Sequence, residues 1–123
     1  VDTQGLPHAI CITTANVTDR AGASLMFETA KDNLAEVQNV LADGGYRGEK
    51  FAETVNELLS ATVEVVKRNE LHSFVVLPKR WIVERSFSWL EKCRRLWKNC
   101  ERLMNTSLHM VILAFVTLIL RRF

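Results

Sequence analysis

The stretch from Val40 to Phe51, "VLADGGYRGEKF", decides how the rest of the chain is read. A short apolar run ends in a single acid, Asp43, and Gly44 and Gly45 follow at once. From Glu49 to Leu59 apolar residues recur at Phe51, Val55, Leu58 and Leu59, the spacing of an amphipathic helix. Strand, acid, glycine turn and helix in that order suggest an α/β layer. In open α/β sheets functional groups gather at the carboxyl ends of strands, and Asp43 stands at such an end. Asp-Gly is equally an ordinary turn signal. The residues alone leave both readings open: a turn, or half of a metal site.

Outward from this stretch the chain alternates. "GLPHAICITTANV" (5–17) reads as a strand, rich in β-branched and apolar residues between Gly5 and Asn16. "TDRAGASLMFETAKDN" (18–33) reads as a helix, with Thr18 or Asp19 as N-cap and Leu25, Met26 and Ala30 inward. "VQNVLA" (37–42) is a short second strand that delivers Asp43, and "ATVEVV" (61–66) is a third. A polar link, Lys67 to Ser73, leads to "FVVLP" (74–78), where Pro78 precedes a helix start. The pattern from Trp81 to about Asn99 is helical and basic, and "NTSLHM" (105–110) caps a last helix with Asn105 or Thr106. Strands alternating with helices predict an α/β fold with largely parallel pairing. Three strands make a narrow sheet, as if an edge or a partner were missing.

Bulk properties narrow the function classes. The 123 residues, 48% hydrophobic and 24% charged, suit one soluble globular domain. The first residues are polar and lack the basic start of a secretory signal, and an initial Val in place of Met suggests a fragment or a processed product. Cys11, Cys93 and Cys100 form no C-x-x-C pair, which argues against a structural zinc site and for a reducing compartment. "MVILAFVTLIL" (110–120) carries no charge over eleven residues, whereas a bilayer span needs about 20. A buried core helix is the expectation, with no membrane partner.

Charge is unevenly placed. Residues 1–78 hold 6 basic and 11 acidic side chains, whereas 79–102 hold 8 basic and 3 acidic. The basic block points to a polyanionic partner or to a solvated helix face. On a helix, Arg80, Glu84, Ser88, Glu91 or Lys92, and Arg95 share one polar face. Val83, Phe87 and Leu90 lie on an apolar one, joined by Trp89, Cys93, Leu96, Trp97 and Cys100. By spacing alone Glu84 is a surface acid paired at i,i+4 with Arg80 and Ser88. Trp81, Trp89 and Trp97 recur every eight residues, as a core stripe or as a stacking surface.

Three motifs, "VDTQGLPHAICITTANVTDRAGA" (1–23), "VLADGGYRGEKF" (40–51) and "RWIVERSFSWLEKCRRLWKNCERL" (80–103), closely resemble the C-terminal portion of bacterial insertion-sequence transposases of the DDE class, grouped with the IS4 and IS5 elements. The resemblance runs over essentially the whole chain. It implies an RNase H-like mixed sheet with flanking helices, here lacking its first strand, so that residues 1–123 are a partial catalytic domain without its N-terminal strand and DNA-binding region.

The resemblance assigns residues as well. The aspartate of the "LADxGY" motif, Asp43, is the second acid of the catalytic triad, and the glutamate of "R-x-x-x-E-R", Glu84, is the third. Arg80 matches the family's arginine near DNA. The family's tyrosine three residues earlier is Leu77 here. Its lysine seven residues after the glutamate is Glu91, with Lys92 next along. The first acid lies upstream of this segment. Asp2 is a low-ranking substitute, since "VDTQG" also reads as plain turn chemistry.

The implied chemistry is phosphodiester cleavage and strand transfer at a two-ion site of Mg²⁺ or Mn²⁺, for which carboxylates are the natural donors. Lys79, Arg80, Arg85, Lys92, Arg94, Arg95, Lys98 and Arg102 are the candidate phosphate contacts. The expected partner is DNA, as element ends and target, with a homo-oligomer possible and a bacterial cytoplasm, near the nucleoid, as the setting. With two of three acids the chain should be weak or inactive alone. A non-catalytic DNA-binding or regulatory remnant is the alternative, and a small metal-dependent nuclease a third reading.

Overall fold

The computed structural model describes residues 1–66 and 79–122. Among the described residues, four helices and a two-stranded parallel sheet give a mixed α/β architecture, consistent with part of an RNase H-like fold. The chain forms two compact units, one from residues 14–66 and one from residues 1–13 with 79–122. Each is described by itself. The polar link Lys67 to Ser73 and "FVVLP" (74–78), with Leu77 and Pro78, lie outside the described residues.

In the first unit, α1 (Asp19–Thr29) starts where Thr18 can cap it: the Ala21 N–H donates to Thr18 Oγ1 at 3.3 Å. Its inward stripe runs through Phe27, which is buried, with Met26 and Ala30 half-buried. Leu25, expected inward, is 52% exposed. The correction is rotational. Phe27 sets the helix face by meeting the Phe51 ring at 6.5 Å.

β1 (Asn39–Ala42) and β2 (Thr62–Val65) pair in parallel, with Val40 opposite Val63 and Ala42 opposite Val65. Alternation puts Val40, Ala42, Val63 and Val65 on the half-buried face. Parallel pairing needs a crossover, and α2 (Glu49–Leu59) supplies it. Phe51, Val55 and Leu59 on one side of α2 are buried, as the periodicity predicts, and Val55 is fully so. Leu34 and Ala61 complete this core with Phe27. Each large side chain so buried contributes about 1.5–3 kcal/mol. Ser60 then ends α2 in the left-handed region, at φ 53°.

The segment 5–17 is not a strand. Ile10, Ile12, Thr13 and Thr14 have the composition for one, but no ladder partner faces them among the described residues. A strand exists only as one member of a pair.

In the second unit, α3 (Arg80–Glu91) stops well short of Asn99. The chain breaks at Cys93, turns once through Arg94–Leu96 and reverses into α4 (Met104–Arg122). Asn99 organises the reversal, its Oδ1 accepting from the Glu101 N–H at 3.2 Å and from Ser107 Oγ at 2.9 Å. A helix continued to Asn99 would carry α4 away from α3. The break lets the two pack.

The inward face of α3 also differs from expectation: Ile82 and Ser86 are buried, while Val83 is 45% and Phe87 61% exposed. Asn105 and Thr106 lie inside the first turn of α4 instead of capping it. Nor is α4 a buried core helix. Ser107 and Phe115 are its buried residues, and Leu113 and Leu120 are well exposed. The reason is one-sided packing: α3 and the turn before α4 cover a single stripe of it. By length and composition alone α4 could cross a membrane.

Candidate functional site

Asp43 emerges directly from the C-terminal end of β1. Its side chain is exposed and caps the single 3-10 turn Gly44–Tyr46, with the Gly45 N–H donating to Oδ1 at 3.0 Å. The chain closes the turn with a Tyr46 N–H to Asp43 carbonyl bond of 3.1 Å. A Cβ on Gly45 would sit 3.2 Å from that capping oxygen, so the small residue keeps the carboxylate approachable. The structure shows the turn reading of Asp-Gly: Oδ1 makes the turn, and Oδ2 takes part in no hydrogen bond among the described residues.

Around this turn the first unit adds residues that sequence reasoning passed over. Tyr46 packs on Phe51 with ring centroids 5.5 Å apart. Burial pushes the Tyr46 phenol above its ordinary range, and the negative charges of Asp19 and Asp43 push it further. Arg20, in the first turn of α1, donates to the Arg47 carbonyl at 3.0 Å and ties that helix to the end of the acid's loop. Gly48 takes φ +127°, a conformation that L side chains rarely adopt, and so swings the chain from the loop into α2. Gly45 was legible in the sequence as part of the turn after Asp43; the role of Gly48 was not. Nor was the Arg20 contact, because no periodicity signals it.

Glu84 lies in the second unit, on the exposed side of α3, in an ion pair with Arg80 (Nε to Oε1, 2.9 Å) at i,i+4 spacing. Both side chains are more than half exposed, so the pair contributes only about 0.3–0.5 kcal/mol. The contact does keep a guanidinium beside the acid.

The basic candidates divide by how they are engaged. Lys79, Lys92, Arg94 and Arg102 are exposed. Lys98 is exposed and rests its ammonium 4.7 Å above the Trp97 ring, itself 79% exposed. Arg95 is ion-paired with Glu101. Arg85 is engaged internally: Nη2 donates to the Gln4 carbonyl at 2.6 Å, and the guanidinium lies 4.7 Å from the Trp81 ring and 5.1 Å from Trp89. The tryptophan stripe is thus no core stripe, with Trp81 52% exposed.

Asp2 makes a turn. Its Oδ1 accepts from the N–H groups of Gln4 at 2.8 Å and Leu6 at 3.0 Å, and its Oδ2 lies 3.1 Å from His8 Nε2. Partial burial acts to raise its pKa, but the bonds from Leu6, His8 and Gln4 outweigh this and hold the carboxyl below its ordinary range.

Carboxylates at Asp43 and Glu84 are donors of the kind a hard divalent cation takes. As a set they fall short: among the described residues no three His, Cys, Asp or Glu side chains are grouped to hold a metal. Each unit offers single acids, not a formed ligand shell.

The βαβ unit thus carries one acid at its first strand end, and the basic helix α3 carries a second. Residues 1–119 match the family model for the transposase DDE domain, and the chain belongs to that family. No curated protein and no solved structure matches it.

Proposed function

We propose that this chain works in DNA transposition by metal-dependent phosphodiester cleavage and strand transfer, with Asp43 and Glu84 as the second and third acids of a DDE site. The family match across residues 1–119 carries the reading. The rigid seat of Asp43 at a parallel-strand end supports it. Members of this family generally use a divalent cation; Asp43 and Glu84 would each offer a carboxylate to it, and Mg²⁺ or Mn²⁺ would supply charge that stabilises the reacting phosphate. This chain's own residues hold carboxylates in place and supply cations to DNA. Lys79, Arg80, Lys92, Arg94 and Lys98 would neutralise phosphates without reading sequence. Joining by the chain alone is expected to be weak, since among the described residues no three acids are grouped.

The experiment is strand joining of a 3′-hydroxyl duplex to plasmid DNA in Mn²⁺. Product should be lost on Asp43→Ala and on Glu84→Ala, and its persistence in both variants would remove the site assignment. A second reading is a non-catalytic DNA-binding or regulatory protein, favoured by the exposed cations of the basic block, Arg94 and Lys98 among them. It predicts salt-dependent DNA binding that both alanine variants leave intact or strengthen, with no joining by the unaltered chain.

A further inference from the structure

The two residues that follow Glu84 tie its helix to the first turn of the chain. Ser86 Oγ is buried and donates to the Gly5 carbonyl at 2.7 Å, one residue beyond the Gln4 carbonyl that accepts from Arg85. Gly5 itself sits at φ +83°, and a Cβ there would meet Ser86 Oγ at 2.9 Å and the Ile82 carbonyl at 3.4 Å. Only glycine permits this approach. The Arg85 guanidinium is held between Trp81 and Trp89, with its Nε buried and unpartnered among the described residues. Arg122 stacks on Trp89 as well, at 4.3 Å.

A guanidinium recognises phosphate best through a free two-pronged edge. In half-buried Arg85 the Trp81 and Trp89 rings lie 4.7 and 5.1 Å from the guanidinium, Nε is shielded from solvent, and Nη2 is committed to a backbone oxygen. The Nε–Nη2 edge is therefore not open to a two-pronged contact with phosphate. We infer that Arg85 is a positioning residue and not a phosphate contact: with Ser86 it pins the α3 backbone beside Glu84 to the Gln4–Gly5 turn and so fixes where the Glu84 carboxylate is held. This rests on the reading of Glu84 as a functional acid.

The test uses the full chain with Arg85→Ala, Arg85→Lys and Arg94→Ala. The first measurement is the Glu84 side-chain carboxyl carbon resonance, assigned by its disappearance in Glu84→Gln. It should move in Arg85→Ala and equally in Arg85→Lys, which keeps the charge but cannot reproduce the planar fork. In Arg94→Ala it should stay in place. Hydrogen exchange should quicken at least tenfold in α3 while β1 and β2 keep their protection, which separates positioning from general destabilisation. The second measurement is the salt dependence of DNA binding. Its log–log slope should hold in Arg85→Ala and fall by about 1 in Arg94→Ala.

An unmoved carboxyl resonance in Arg85→Ala, or its restoration by lysine, overturns the inference. So does a lost unit of salt slope in Arg85→Ala with α3 protection unchanged. Should Arg85→Ala fail to fold, Arg85→Lys and Ser86→Ala give the same readouts. Failure of the underlying reading looks different: Glu84→Gln would leave strand joining intact while the resonance shifts persisted.

Discussion

Asp43 caps the turn into which its own strand delivers it, accepting the Gly45 N–H at 3.0 Å through Oδ1. The capping role needs an oxygen but no charge, whereas binding a cation needs the charge. Asparagine therefore separates them. Asp43→Asn should leave thermal stability within about 0.5 kcal/mol of the unaltered chain, since asparagine caps as well as aspartate. Asp43→Ala should cost about 1 kcal/mol, the usual size of a lost cap. Strand joining should vanish in both. Joining at an undiminished rate in Asp43→Asn would reduce the residue to a cap.

Tyr46 reports on the same carboxylate. It is the one tyrosine of the chain, so an absorbance titration reads it without interference. Burial, then Asp19, then Asp43, raise its phenol above the ordinary range. Asp43→Asn should bring the titration part of the way back, leaving the contributions of burial and Asp19. The sign for stability follows: a raised folded-state pKa adds stability that is complete below the unfolded value near 10 and is lost as pH rises through the folded one. Thermal midpoints should fall above about pH 10 in the unaltered chain, and this loss should be absent in Tyr46→Phe.

Ser60 ends α2 at φ 53°, ψ 32°, with its N–H bonded to the Asn56 carbonyl at 2.8 Å. Serine carries a Cβ penalty there that glycine does not. Ser60→Gly should stabilise the chain by about 1 kcal/mol, seen as a higher thermal midpoint. An unchanged or lower midpoint would show that the left-handed cap is not maintained in solution.

The Asp2 turn has the opposite pH signature. Its carboxyl is held below the ordinary range, so the turn's contribution is present above the unfolded value near 4 and is lost as pH falls through the lower folded value. Asp2→Asn should remove that acid-side loss. Hydrogen exchange at the Gln4 and Leu6 amides, which both bond to Oδ1, measures it.

What could be read in the sequence was what local periodicity encodes. The run Val40–Ala42, the stripe Phe51–Val55–Leu59 and the alternation around Val63 each carry their own pattern, and β1, α2 and β2 follow. Asp43 came with them because a strand end is a local feature. The segment 5–17 was misread because its β-branched composition says nothing about whether a second strand is there to pair with it. The face of α3 was misread for a related reason. Val83, Phe87 and Leu90 look like an inward stripe, yet the contact is made by Ser86, a small residue, against Gly5 some eighty positions away. Two small residues that permit a close approach leave only a faint signal in hydropathy. The reversal at Cys93 has no glycine or proline to announce it, and depends on Asn99 meeting Ser107. The exposed residues of α4 defied the expectation that its uncharged run, Met110 to Leu120, is buried as a core helix.

The central claim is that Asp43 and Glu84 are the acids on which this chain's DNA chemistry depends. Its most direct test is strand joining of an end-labelled duplex bearing a 3′-hydroxyl into supercoiled plasmid in Mn²⁺. The unaltered chain, Asp43→Asn and Glu84→Gln are compared at equal DNA-bound fraction. Joined product, weak in amount, is expected from the unaltered chain and from neither variant. Product at the same level from both variants would contradict the claim.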